Sequence, residues 1–314
     1  MGFQQLSADQ YVEAIKRLRP DVVVGLADLV VGQRPGVKRR GRMVDRTHAY
    51  TLDATEQLYG GREGGGRRNS SSVLPADDDN PPRTAYFAPV LPLDNAEQSI
   101  YLDELQDEET GPPISGLALY ESASISVIPE KLERLTRLVF SESATPQDVL
   151  RDVSLGADLL TIPFLGAASD AGMALDFTFP PAPMTTSHSP RPLAMDLWSP
   201  IYTTDTSPIS RECECYTCRK HHRSYIRHLL TAKEMLAWTL LQIHNYHSVD
   251  LFFSNIRESI ARGTFEQDVE AFEKAYESAF PEQTGQGPRY VILFAYTLSP
   301  LLFLILESSL IQSS

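Results

Sequence analysis

The stretch Cys213-Glu214-Cys215-Tyr216-Thr217-Cys218 places every cysteine of a 314-residue chain within six positions. A C-x-C-x₂-C run offers three soft thiolates, the donor set of a tetrahedral zinc ion that one more Cys or His completes. With no fourth cysteine the last ligand has to be a histidine, and His221, His222, His228, His244 and His247 all follow. An odd, tightly clustered thiol set makes a poor disulfide framework. A redox motif would open a helix after a strand, whereas a loop precedes this one.

Helix geometry chooses among the histidines. From Arg219 to Leu230 the pattern is helical, with Ile226, Leu229 and Leu230 on one side. Thr231 and Glu234 then read T-x-x-E, a capping box that announces a second helix. If the second helix folds back along the first, about 12 residues go out and about 13 return, each leg ~20 Å long. The return leg ends beside Cys218 at His244, one turn after Leu240 and Leu241 and so on the packed face. His247, one turn further, is the fallback. Four protein ligands close the site, so the zinc is structural and activates no water.

The elements that must hold this centre alternate. A helical period from Tyr11 to Leu18 leads into the apolar run Asp21–Val31, which reads as a buried strand. A helix near 42–58, a strand at 84–91, a helix near 95–106 and a strand at 114–120 follow. A helix near 129–135 and a strand at 136–142 come next. The helix after them has Thr145 as N-cap, Pro146 at its first position and Gly156 just past its end, and a strand is expected at 157–164. Strand and helix alternating at this spacing predict an α/β fold of the TIM-type (β/α) barrel kind. About five strands are too few to close eight. The chain divides on this reading into a partial barrel (1–209), a zinc-binding helical subdomain (210–289) and an apolar tail (290–314). The glycine-rich, charged stretch 58–83 reads as a disordered loop, and 178–193 as an irregular insertion.

Composition narrows the function classes. An apolar fraction of 42% suits a globular core, and a formal net charge of −13 argues against coating nucleic acid through the overall field. A local basic run remains: Arg34, Lys38, Arg39, Arg40, Arg42 and Arg46 lie within 34–46, after a predicted strand. Arg39, Arg40 and Arg42 are candidate contacts to the phosphate backbone of a nucleic acid. The opening residues lack the apolar core of a signal peptide, and the chain reads as intracellular and reduced.

The segment from Cys213 to Asn245 resembles the zinc segment of the queuine tRNA-ribosyltransferase (tRNA-guanine transglycosylase) family. That segment reads C-x-C-x₂-C followed by a His 26 residues after the last Cys, which falls on His244. Residues 114–122 and 143–160 are similar to two further family segments, and 19–28, 45–47 and the stretches up to 289 match in order. The resemblance implies a TIM barrel with an inserted zinc subdomain, incomplete here at the N-terminus because the family barrel begins with further strands. It implies an activity that exchanges guanine for queuine at the wobble position of tRNAs with GUN anticodons.

The family mechanism needs an Asp nucleophile that holds the ribose covalently. The corresponding position is Thr161, whose hydroxyl carries no charge for an oxocarbenium-like centre. Asp158 lies three residues back, about 10 Å along a strand and on its other face. Leu91 stands where a base-reading Gln is expected, and residues 165–167 replace a Pro-Thr-Arg. These losses imply a non-catalytic accessory subunit that pairs with a catalytic subunit as a heterodimer and helps to bind tRNA. In the family the zinc region lies close to the dimer contact. The resemblance further implies residence in the cytoplasm, with a peripheral station on the mitochondrial outer membrane. Two alternatives stay open: an active base-exchange enzyme with a displaced carboxylate, and a scaffold tethered to a membrane by the run Tyr290–Leu306, which Pro300 interrupts.

Overall fold

The computed structural model describes residues 6–30, 32, 35–60, 84–107, 109–182, 189–285 and 287. The described elements run in chain order as follows. The first are α1 (Ala8–Leu18), β1 (Val22–Val24), α2 (Val37–Tyr59), β2 (Ala85–Val90), α3 (Asn95–Leu105), β3 (Gly116–Leu119) and β4 (Thr136–Val139). Then come α4 (Pro146–Leu155), β5 (Leu159–Leu160), α5 (Pro163–Asp170), β6 (Met173–Leu175) and β7 (Ala194–Asp196). Last are α6 (Tyr216–Lys220), α7 (Arg223–Ala232), α8 (Met235–Arg262) and α9 (Phe265–Ala275). The chain forms two compact units, one built on residues 1–141 and 155–161, the other on 142–154 and 162–298. The apolar tail and most of the glycine-rich stretch lie outside the described residues, as do Arg34 and residues 183–188. Tyr59, expected in the disordered loop, instead ends α2.

In the first unit β1 to β5 form one sheet in sequential order, every neighbouring pair parallel. A doubly wound sheet would reverse direction at a switch point. Strands laid down in one direction are the winding of an incomplete TIM-type barrel. The sequence of each strand follows from its place. β2 and β3, inside the sheet, are apolar and buried almost throughout, whereas Val22 on β1 is exposed at the edge. Val12 and Ile15 of α1, Met43 and Val44 of α2 and Tyr101, Leu102 and Leu105 of α3 belong to the same core as Tyr86, Ala88 and Val90 of β2. Gly116 starts β3 directly beneath the Phe87 ring, where any Cβ would collide with it.

Three expected elements differ. The strand over 21–31 is only Val22–Val24, and the residues beyond it carry Asp28, which is buried. The helix near 129–135 is replaced by two 3₁₀ stretches, Ser122–Val127 and Glu130–Leu132. The strand over 157–164 stops at Leu160, since Pro163 has no N–H for a ladder and starts α5 instead. Thr145 and Pro146 do open α4: the Thr145 hydroxyl accepts from the Asp148 N–H at 3.3 Å, and the Asp148 carboxylate accepts the Thr145 N–H at 3.0 Å.

The second unit carries the antiparallel pair β6–β7, with Met173 opposite Asp196 and Leu175 opposite Ala194. Beside it stands a helical layer. α7 and α8 are antiparallel legs of a hairpin turned by Lys233, whose φ of 58° is left-handed. The expected single helix from 219 to 230 is broken at His221 and His222, which separate α6 from α7. Thr231 is no cap. It stays inside α7 and donates to the Arg227 carbonyl at 2.9 Å, and α8 starts after Glu234 without a side-chain cap. Phe177, Phe179, Phe252, Phe272 and Tyr276 pack edge-on and tilted around the foot of α8 and α9.

One ion pair in the first unit bears on the arginine run. The buried Asp28 carboxylate receives Arg39 through both guanidinium arms, one at 2.6 Å, and Arg46 at 3.2 Å. Arg39→Met removes the bidentate partner of a buried charge and is expected to destabilise the chain by about 3 kcal/mol, read as a lower urea midpoint.

Candidate metal centre

Local structure delivers the sulfurs. Cys215 is the N-cap of α6, and its Sγ accepts the Cys218 N–H at 3.4 Å, so two ligand positions are set by one turn of backbone. Thr217, buried between them, donates to the Leu240 carbonyl at 2.7 Å and fixes α6 against α8. Ile226, Leu229 and Leu230 of α7 share a core with Trp238, Leu240 and Leu241 of α8. That packing holds the hairpin closed and brings His244 back to the cysteines.

Cys213, Cys215, Cys218 and His244 form one group whose ligand atoms all lie within 4.8 Å of one another. His244 Nδ1 stands 3.6 Å from Cys213 Sγ, 3.7 Å from Cys215 Sγ and 3.3 Å from Cys218 Sγ. A tetrahedron with ordinary Zn–S and Zn–N bonds has an S···N edge of about 3.6 Å. His247, the fallback, is not part of the group, and His222 instead caps α7, accepting the Tyr225 N–H on Nδ1 at 3.1 Å. The His244 tautomer is set by its other nitrogen. Nε2 donates to the Leu175 carbonyl at 2.9 Å, which leaves the Nδ1 lone pair for a metal.

The electrostatics favour a cation at the centre of the group. Burial works against a charged His244, yet its hydrogen bonds to the three sulfurs outweigh it and push its pKa up to about 12, so a proton and a metal ion compete for Nδ1. Burial would raise the Cys215 thiol too, but His244 and the Cys218 N–H bring it down to about 6, while burial pushes Cys213 up. Three thiol groups, an imidazole of fixed tautomer and near-tetrahedral spacing fit a thiophilic divalent ion.

The residues at the expected catalytic positions are engaged otherwise. The Thr161 hydroxyl donates to the Ser141 carbonyl at 2.9 Å. Asp158 is tied at the start of β5, accepting the Arg137 N–H at 2.8 Å. Leu91 is fully buried, and its own N–H and carbonyl are both held by the Gln98 side chain, at 3.3 and 3.1 Å. Gln98 leaves helical φ and ψ inside α3 to reach them. Arg39 and Arg40, read as phosphate contacts in a loop, lie in the first turns of α2 and face carboxylates: Arg39 meets Asp28, and Arg40 meets Glu97 at 2.6 Å. Arg42 is exposed beside Lys38. Sequence reading missed the Leu175 carbonyl, which no side-chain pattern can announce, and Asn245, a polar residue on the buried face of α8.

The family described as Queuine tRNA-ribosyltransferase matches residues 1–278. A Schizosaccharomyces pombe protein named queuine tRNA-ribosyltransferase accessory subunit 2 is 34% identical over 288 residues, covering 92% of this chain and 61% of the relative. Proteins of the same name from Drosophila pseudoobscura pseudoobscura and Anopheles gambiae are 29% and 27% identical, covering 86% and 83% of this chain. The chain spans about three-fifths of the length of these curated relatives.

Metal analysis of the purified chain is expected to find about one divalent ion per chain, lost in Cys218→Ser. Acidification should release it, because protons compete for the thiolates; a metal content that is flat between neutral and mildly acid pH would contradict the site.

Proposed function

The chain belongs to the queuine tRNA-ribosyltransferase family, and on that footing we propose that it is the non-catalytic accessory subunit of a queuine tRNA-ribosyltransferase complex. In this reading it supports exchange of guanine for queuine at the wobble position of tRNAs with GUN anticodons, paired with a catalytic subunit. The observation that carries the reading is Thr161: a neutral hydroxyl spent on the Ser141 carbonyl stands where an ionised nucleophile is required. Leu91, buried and pinned by Gln98, presents no polar group to a purine edge.

The cluster of Cys213, Cys215, Cys218 and His244 holds one zinc ion on this reading. A metal closed off by four protein ligands supplies folding energy rather than a reactive water. Its role is to set α6 and the start of α7, whose surface bears a run of rings. Tyr216 is 56% exposed and meets His221 edge-on at 5.6 Å, and His221 stacks on Tyr225 at 5.2 Å and 14°. His221 and Tyr225 are half-buried behind the exposed Tyr216; aromatic residues are enriched at protein interfaces, and we assign the catalytic subunit to this one. For tRNA, the described residues of the basic run that face no carboxylate are Lys38 and Arg42, since Arg39 and Arg46 meet Asp28 and Arg40 meets Glu97. The proposal includes cytoplasmic residence and a peripheral station on the mitochondrial outer membrane. Among the described residues no helix is long and apolar enough to cross a membrane. Fractionation with and without residues 290–314 tests the membrane part.

Labelled guanine exchange into tRNA, with this chain alone, the catalytic subunit alone and both together, is expected to give activity only in the mixture. Exchange by this chain alone would overturn the accessory role and favour a displaced carboxylate. Reversing the charge of Lys38 and Arg42 together should weaken tRNA binding by the complex and reduce the salt slope by about 1–2. An unchanged affinity and slope would remove this surface from the tRNA path.

A further inference from the structure

β6 has one edge that no strand covers within its sheet. Its pairing with β7 uses the backbone of alternate residues: the Asp176 N–H bonds the Leu193 carbonyl at 2.9 Å and the Gly172 carbonyl accepts the Leu197 N–H at 3.2 Å. The polar groups of Met173 and Leu175 therefore point the other way, toward α8. Two consecutive side chains of α8 take three of them. Asn245 Oδ1 accepts the Leu175 N–H at 2.9 Å, and Asn245 Nδ2 donates to the Met173 carbonyl at 3.0 Å. His244 Nε2 donates to the Leu175 carbonyl at 2.9 Å. The Asn245 amide thus does what a peptide unit of a neighbouring strand would do. Its second N–H reaches Ser169 Oγ at 2.9 Å, and Ser169 in turn donates to the Leu165 carbonyl at 2.8 Å. Asn245, His244 and Ser169 are all fully buried.

We propose that Asn245 is the positioning residue of the metal centre: it locks the rotation and register of α8 on β6 so that His244 keeps Nδ1 on the three sulfurs while Nε2 holds the Leu175 carbonyl. This rests on the metal reading of the cluster. The physical warrant is that Leu175 bonds both residues, one through its N–H and one through its carbonyl. A slip or twist of α8 that moved the imidazole would break the Asn245 bonds in the same motion. A helix docked through apolar contacts alone tolerates small rotations. The amide, with both its oxygen and its nitrogen fixed, does not, because each freed partner would be an unpaired backbone group in the interior.

The experiment is zinc competition by a chromophoric chelator on the full chain, wild type against Asn245→Ala, with cobalt(II) substitution as a spectroscopic readout. The expected result is that Asn245→Ala yields zinc to the chelator about 10–100-fold more readily. Its cobalt form should keep the thiolate charge-transfer band but show altered d–d bands as the nitrogen donor loosens. A variant with wild-type competition and an unchanged cobalt spectrum overturns the positioning role, even if it melts earlier, because Asn245 would then be a structural residue only. A wild-type chain that takes up neither zinc nor cobalt overturns the metal reading itself, and this proposal with it. If Asn245→Ala does not fold, Ser169→Ala decides. Removing one neutral partner of the amide should raise zinc loss by up to ~5-fold, and no change would refute the proposal.

Discussion

The second unit hangs on the two nitrogens of one buried imidazole. A histidine that ligates a metal is neutral and has a single proton to place, and the Leu175 carbonyl, which can only accept, claims it for Nε2. Nδ1 is left as a donor atom facing three sulfurs. The apolar core between α7 and α8 and the Thr217 bond to the Leu240 carbonyl bring that nitrogen to the cysteines of α6. Neither α6, five residues long, nor α7, ten, would be a stable helix on its own. The ligand group ties these short pieces to the long helix α8.

The first unit obeys a different constraint. A parallel sheet wound in one direction must cover its outer face with helices, and α1, α2 and α3 bring their apolar sides to the core. The segments after β1 and β2, where a barrel places its functional loops, are here closed by internal bonds: the Asp28–Arg39–Arg46 cluster after β1 and the Gln98 staple on Leu91 after β2. The polar groups there make their hydrogen bonds within the chain.

The four residues of the cluster and the order of strands were legible from residue types and spacing. C-x-C-x₂-C has few chemical uses, and the distance from Cys218 to His244 is that of a helical hairpin whatever the details of its turn. Apolar runs bounded by polar segments marked β2 and β3 well, because strands buried on both faces admit little else. The less legible parts depended on backbone partners. The turn between α7 and α8 is made by Lys233 in a left-handed conformation, which composition does not announce, so Thr231 offered a false cap. β5 ended early because Pro163 overrides a run of good strand formers. The arginine run looked like an open surface because Asp28, buried in a distant turn, gave no sign of being its partner.

The bond from Thr161 to the Ser141 carbonyl also bears on how such a chain could change over time. A hydroxyl donates there at 2.9 Å; a carboxylate would set oxygen against oxygen at the same spot. A single substitution at position 161 therefore meets repulsion before it offers any new chemistry. Loosening the loop after β2 as well would mean freeing Leu91 from Gln98, which strands two backbone groups in the interior. Each step toward an ionised, ligand-facing site first costs stability, and none is useful without the others.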